Sequence, residues 1–111
     1  MNESPLFVRT HDLMLWLIPQ VQKFPRPHRF GLAEHIQGLA LDFQDSLVAA
    51  GKSKLEERRI YLHKADIQLE QLRTSIRIVQ DLNILTLRQY EHVSRLMAET
   101  GRLLGAWIKQ G

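Results

Sequence analysis

The side chains best equipped for recognition chemistry in this sequence are arginines. Arg73 and Arg77, in the stretch LRTSIRIV, stand four residues apart and share one face of any helix they occupy. A guanidinium presents a planar fork that grips phosphate or carboxylate through two parallel hydrogen bonds. Arg58, Arg59 and Lys64 precede this pair, and Arg26, His28 and Arg29 cluster in the stretch FPRPHRF. Two uses are open for these cations. They pair within the chain, since Glu70 lies three residues before Arg73, and Glu56 and Glu57 adjoin Arg58. Or they line a charged surface for phosphate or an acidic partner, with the loop arginines either part of it or simply solvated. No aromatic residues interleave with the basic ones in a stacking pattern, so sequence-specific base reading is not expected.

The charge is uneven along the chain. Fifteen Lys and Arg stand against twelve acids, a net charge of +3, and the isoelectric point is near 9.6. Residues 1–50 carry four basic and five acidic side chains, whereas residues 51–111 carry eleven and seven. A basic second half argues for a polyanion or an acidic partner.

Other chemistries find little support. There are no cysteines, which excludes a disulfide scaffold, thiolate metal ligands and a thiol nucleophile. The five histidines are scattered, without His-x-x-x-His spacing, and neither EHIQ at Glu34 nor EHVS at Glu91 has the Glu-x-x-His spacing of a di-metal bundle. No nucleophile elbow or glycine-rich phosphate loop occurs. Asp42 and Asp45 read as a solvated helix face. No metal, no cofactor and no enzymatic activity are expected. The start, MNESPLFVRTHD, has no basic segment leading into an apolar one, and the longest apolar run is Leu13–Ile18. That is far short of the ~18 residues of a membrane span, so a cytoplasmic protein without a membrane partner is expected.

The elements that must position the arginines are all helical. With 44% apolar and 24% charged residues, the 111-residue chain fits one globular domain, residues 1–111. The punctuation predicts helices over about 6–23, 30–50, 54–82 and 87–109. Ser4 and Pro5 suit the start of the first, and Pro19 should kink it. Pro25 and Pro27 end it, with Phe24 and Phe30 expected to pin the corner to the core. Leu32, Ile36, Leu39, Ala40, Phe43 and Leu47 give the second an apolar face, with Gly51 as its stop. Ser53 with Glu56, and Thr86 with Gln89, have capping-box spacing before the third and fourth. Leu62, Ala65, Leu69, Leu72, Ile76 and Val79 form a seam on the third, which Asn83 can close. Tyr90, Val93, Met97, Gly101, Leu104 and Ile108 mark the inward face of the fourth. Four amphipathic helices with short connections predict an all-α, antiparallel up-down four-helix bundle.

Two features point beyond a single chain. The run LMLWLI makes the first helix apolar all the way round, more than one core stripe needs. Leu13, Trp16 and Leu17 are thus candidates for a subunit interface, unless the helix is centrally buried. Gly101 and Gly105 lie four apart on one helix face at a cost of ~1 kcal/mol each relative to alanine. They suggest close approach by another helix or subunit, the alternative being tolerated glycines near a fraying end.

Three stretches together, WLIPQVQKFPRPHRFGLAEHI, LRTSIRIVQDL and TGRLLGAWIKQG, resemble the four-helix-bundle family of accessory variability proteins (Avd) of diversity-generating retroelements. The resemblance covers nearly the whole chain. It implies a non-catalytic protomer of a ring-shaped homo-oligomer, typically a homopentamer, with a positively charged surface. It further implies association with the retroelement's reverse transcriptase, binding of RNA or DNA without sequence specificity, and support of mutagenic copying of a template RNA into cDNA. Arg73 and Arg77 match the paired third-helix arginines and are the first candidates for contact with polymerase or nucleic acid. Arg58, Arg59, Lys64, Arg26 and Arg29 follow. The charge of +3 per chain is mild and the C-terminus lacks a basic tail, but five copies would carry about +15. The alternative resemblance is to four-helix-bundle proteins encoded in ribosomal RNA intervening sequences, whose role is poorly defined.

Overall fold

The computed structural model describes residues 4–110, so residues 1–3 and Gly111 of the expected domain lie outside the described residues. The first helix, α1 (Pro5–Val21), starts where Ser4 and Pro5 predict, with the Ser4 hydroxyl accepting the Leu6 N–H at 3.3 Å. It ends two residues short of Lys23, with Pro19 exposed in its last turn.

The corner that follows is partly as expected. Phe24 is buried at 3% exposure, while Phe30 is 82% exposed and pins nothing. The path turns once as a 3₁₀ turn at Arg26–His28 and again as a wide π turn at Arg29–Ala33 before α2 (Glu34–Lys52) begins. This winding carries Ala33, rather than Phe30, into the core beside Val21 and Phe24. Arg29 closes the corner by donating from Nε to the Phe24 carbonyl at 3.4 Å.

Gly51 does not stop α2, which continues to Lys52 and breaks at Ser53, where the backbone becomes extended. Nor do Ser53 and Glu56 form a capping box. The Ser53 hydroxyl lies 2.8 Å from both the Ala49 carbonyl and Glu57 Oε1. The position before α3 (Leu55–Asp81) is Lys54, which makes no side-chain cap. Ser53 therefore ties the end of one helix to the start of the next rather than capping either. Asn83 does close α3, in the left-handed conformation (φ 60) that asparagine tolerates. Thr86 and Gln89 form the reciprocal box before α4 (Leu87–Gln110). The Thr86 N–H donates to Gln89 Oε1 at 2.9 Å, and the Gln89 N–H donates to Thr86 Oγ1 at 3.1 Å.

Contacts run between sequence neighbours and close from α4 back to α1, so the helices stand at the corners of a square with α2 diagonally across from α4. Phe7 meets Trp107, Ser46 meets Gln68, and Arg73 meets Met97. Phe7 starts α1 and Trp107 ends α4, Arg58 near the start of α3 meets Ala50 near the end of α2, and Leu69 and Arg73 of α3 meet Gly101 and Met97 of α4 in reverse order, so neighbouring helices are antiparallel. The bundle measures 43 × 24 × 24 Å. Every predicted seam residue of α3 is buried, and Phe43, Leu13, Leu17, Leu69, Leu72 and Ile76 fill the centre. Ile108 departs from the expected face of α4, at 39% exposure. No helix among the described residues is long and apolar enough to cross a membrane.

The two predicted boxes should differ in energy. Thr86→Ala should lower stability by about 1 kcal/mol. Glu56→Ala removes only an exposed 3.6 Å pair with Arg59, so it should change stability by less than about 0.5 kcal/mol. Urea unfolding of the two variants checks the contrast.

Candidate functional site

The third helix positions its arginines by the same period that buries its seam. Arg73 follows Leu72 and Arg77 follows Ile76, so both emerge on the flank facing α4. The Arg73 side chain, 39% exposed, lies across that helix pair. Its Nη1 donates to Glu70 Oε1 and its Nη2 to the Met97 carbonyl, each at 3.2 Å. Gly101 makes this possible, since a Cβ there would overlap the Arg73 guanidinium. The close approach predicted at Gly101 is therefore real, but its partner is an arginine of the same chain. Gly105 has nothing within 4 Å of the corresponding position.

Arg77 is exposed and makes no hydrogen bond or ion pair among the described residues. With Arg73, Glu70 and Thr74 of α3, and Tyr90, Ser94 and Met97 of α4, it lines a groove of about 280 Å³. Tyr90 thus sits beside the arginines, a neighbourhood that linear spacing does not show.

The remaining predicted cations are dispersed. Arg58 donates from Nε to the Ala50 carbonyl at 2.9 Å and lies over the Trp107 ring at 5.7 Å, so it clasps one end of the bundle. Arg59 pairs with Glu56 on the surface, and Lys64 is exposed. Arg26 and Arg29 sit at the proline corner, which lies toward the other end. The structure brings Arg73 and Arg77 together and leaves the others apart.

A larger basic feature escapes a reading by adjacent arginines. Arg88, Arg95, Arg102 and Lys109 fall every seven residues along α4, and none of the four makes an ion pair among the described residues. Seven residues fall about 20° short of two full turns, so the four drift only slowly round one face, over roughly 32 Å of helix. The acids of α4 do not cancel the stripe. Glu99 is engaged by Arg9 of α1 at 3.1 Å, and Arg9 also holds Asp12 at 2.6 Å. Hydrogen bonds to Asp12 and Glu99 raise the Arg9 pKa above its ordinary value. Glu91 alone remains unpaired on α4 among the described residues. Across the square, α2 has the opposite bias, with Glu34, Asp42 and Asp45 against Lys52.

Among the proposed interface residues, Leu13 and Leu17 are 0% and 1% exposed. They are enclosed by the protomer's own core and offer no surface to a second copy, so the central-burial alternative holds for them. Trp16 is half-buried with its ring 5.5 Å from His92. The exposed member of the apolar run is Leu15, at 63%. No group of three or more His, Asp or Glu among the described residues could hold a metal ion.

A family model described as bAvd-like matches residues 6–111. The chain belongs to the bAvd-like family. Membership points to an accessory protein of a diversity-generating retroelement. No match is found among curated proteins. In this bAvd-like chain the α3–α4 groove is where Arg73 and Arg77 come together.

The two helical glycines should respond differently to a methyl group. Gly105→Ala should stabilise the protomer by about 0.5–1 kcal/mol through helix propensity alone. Gly101→Ala gains the same propensity but must displace the Arg73 guanidinium from the Met97 carbonyl. That hydrogen bond is worth about 1 kcal/mol, so the net effect should be near zero. Urea midpoints of the two variants, with the Arg73 side-chain NMR signal, check both statements.

Proposed function

We propose that this protein is the non-catalytic accessory subunit of a diversity-generating retroelement, binding the element's reverse transcriptase and nucleic acid to support mutagenic cDNA synthesis. The observation that carries the binding part of this reading is the set of unpaired cations on α3 and α4. It has two parts, the free Arg77 on the α3–α4 groove and the stripe Arg88, Arg95, Arg102 and Lys109 on the exposed face of α4, none of them in an ion pair among the described residues. Phosphate attraction without base contacts gives affinity without sequence preference. Arg73 supports that surface from within, while Arg58, Arg59, Lys64, Arg26 and Arg29 lie apart from it and add to the overall positive field.

The working form in this reading is a ring, a homopentamer. What supports it is apolar surface that the protomer leaves uncovered: Leu15 at 63% exposure on α1, and Leu41 and Val48 at 38% and 47% on α2. Trp16 and the open notch at Gly105 remain candidate contacts.

The polymerase should capture this protein in a pull-down with and without RNA. Arg73→Ala with Arg77→Ala should weaken the complex and template-primed cDNA synthesis, and undiminished activity would remove these residues from the interface. Nucleic-acid binding should fall steeply with salt. Replacing Arg88, Arg95 and Arg102 by Gln should flatten the log–log salt slope by about one for each phosphate no longer neutralised. A slope unchanged in the triple variant excludes the stripe. Light scattering at micromolar concentration should give a multiple of the protomer mass that Leu15→Asp reduces. A monomeric parent protein would sink the ring.

A further inference from the structure

Arg73 and Arg77 look equivalent in the sequence, yet the fold gives them different work. Arg73 is committed to Glu70 and to the Met97 carbonyl, over the notch at Gly101. Arg77, on the same groove wall, has its whole guanidinium free among the described residues. The groove's hydroxyls divide likewise. Thr74 donates to the Glu70 carbonyl at 3.0 Å. The half-buried Tyr90 and Ser94 have no side-chain hydrogen-bond partner among the described residues. The one acid on the wall, Glu70, is already neutralised by Arg73. Among the described residues, one free cation and two free hydroxyl donors therefore line a single groove of about 280 Å³ whose only carboxylate is occupied.

We propose that this groove is a phosphate site. Arg77 supplies the charge, the Tyr90 and Ser94 hydroxyls donate to phosphate oxygens, and Arg73 shapes the wall without touching the ligand. An acidic peptide would meet the same charge, but two hydroxyl donors beside a guanidinium match the several acceptor oxygens of a phosphate. The physiological ligand, a phosphodiester of a polynucleotide, rests on the nucleic-acid reading above. The polymer is preferred to a free phosphate because α4, which forms one wall of the groove, carries four further unpaired cations on its exposed face, Arg88, Arg95, Arg102 and Lys109. Within that surface the groove is the place where a backbone is held in register, rather than attracted at a distance.

The test titrates a short labelled single strand, as RNA and as DNA, against the full chain at fixed ionic strength. Arg77→Gln should weaken binding by about ten-fold, and Tyr90→Phe and Ser94→Ala by about three- to ten-fold each. Lys54→Gln, an exposed cation before the start of α3 and away from the groove, should change it less than about two-fold. The RNA and DNA arms should respond alike, because nothing in the groove calls for a 2′-hydroxyl. In parallel, inorganic phosphate should shift the amide NMR signals of Tyr90 and Ser94 in the parent protein and not in Arg77→Gln. If the oligonucleotide does not bind but phosphate still shifts these signals, the nucleic-acid reading fails and the phosphate site stands. If the Arg77, Tyr90 and Ser94 variants bind the oligonucleotide as the parent does, the site is refuted while the stripe can still carry nucleic acid. Loss of polymerase capture with oligonucleotide binding intact would also refute it, by assigning the groove to a protein interface. Equal losses from Arg77→Gln and Lys54→Gln would refute the site, by reducing the effect to overall charge.

Discussion

Every other feature of this bundle rests on the unbroken buried stripe of α3. Leu62, Ala65, Leu69, Leu72, Ile76 and Val79 are 0–3% exposed, and the helix carrying them is clamped between α2 and α4. A single stripe serving two neighbours leaves both flanks of α3 at helix–helix seams, where a polar side chain must find a partner or face water. The two flanks solve this differently. Toward α2, the Ser46 hydroxyl donates to Gln68 Oε1 at 2.6 Å. Toward α4, Arg73 is laid against a main-chain carbonyl over a glycine. The second solution holds a charged side chain at the seam without filling it, and the groove with Arg77, Tyr90 and Ser94 is what remains open.

The architecture is readable because it depends on periods and punctuation. Four apolar stripes, two prolines at a corner and a capping box at Thr86 state where helices begin and which faces turn inward, and the helix bounds agree within a few residues. The misreadings share a cause. Residue type and local spacing assign roles to Phe30, Gly51 and Glu56, whereas their actual roles depend on how the corner winds and where Ser53 finds its partners. Leu13 and Leu17 read as outward because the run around them is apolar on all sides. Only tertiary packing shows that Leu15, between them, is the one left in solvent.

The site is readable to a lesser degree. The arginine pair can be placed on one face of α3, but not divided into a committed and a free member, because Met97 and Gly101 lie on another helix more than twenty residues away. Tyr90 reads as core for the same reason. The α4 stripe has a signal in plain view, a basic residue every seventh position from Arg88 to Lys109. It is invisible to a search for adjacent or four-spaced arginines, and it gains meaning only once Glu99 is seen to be engaged by Arg9.

The diagonal placement of α2 and α4 has a consequence for how this molecule meets a partner. With a net excess of acids on α2 (Glu34, Asp42 and Asp45 against Lys52) and of cations on α4 (Arg88, Arg95, Arg102 and Lys109 against Glu91 and Glu99) at opposite corners of the square, the bundle carries an electric dipole component perpendicular to its long axis. In the field of a polyanion such a body experiences a torque as well as an attraction, and it turns its α4 edge forward while still a Debye length away, about 8–10 Å at physiological salt. A net charge of only +3 would give weak pull on its own. Separating the charge instead makes a larger share of encounters arrive already oriented, so the rate of productive association can exceed what the total charge suggests.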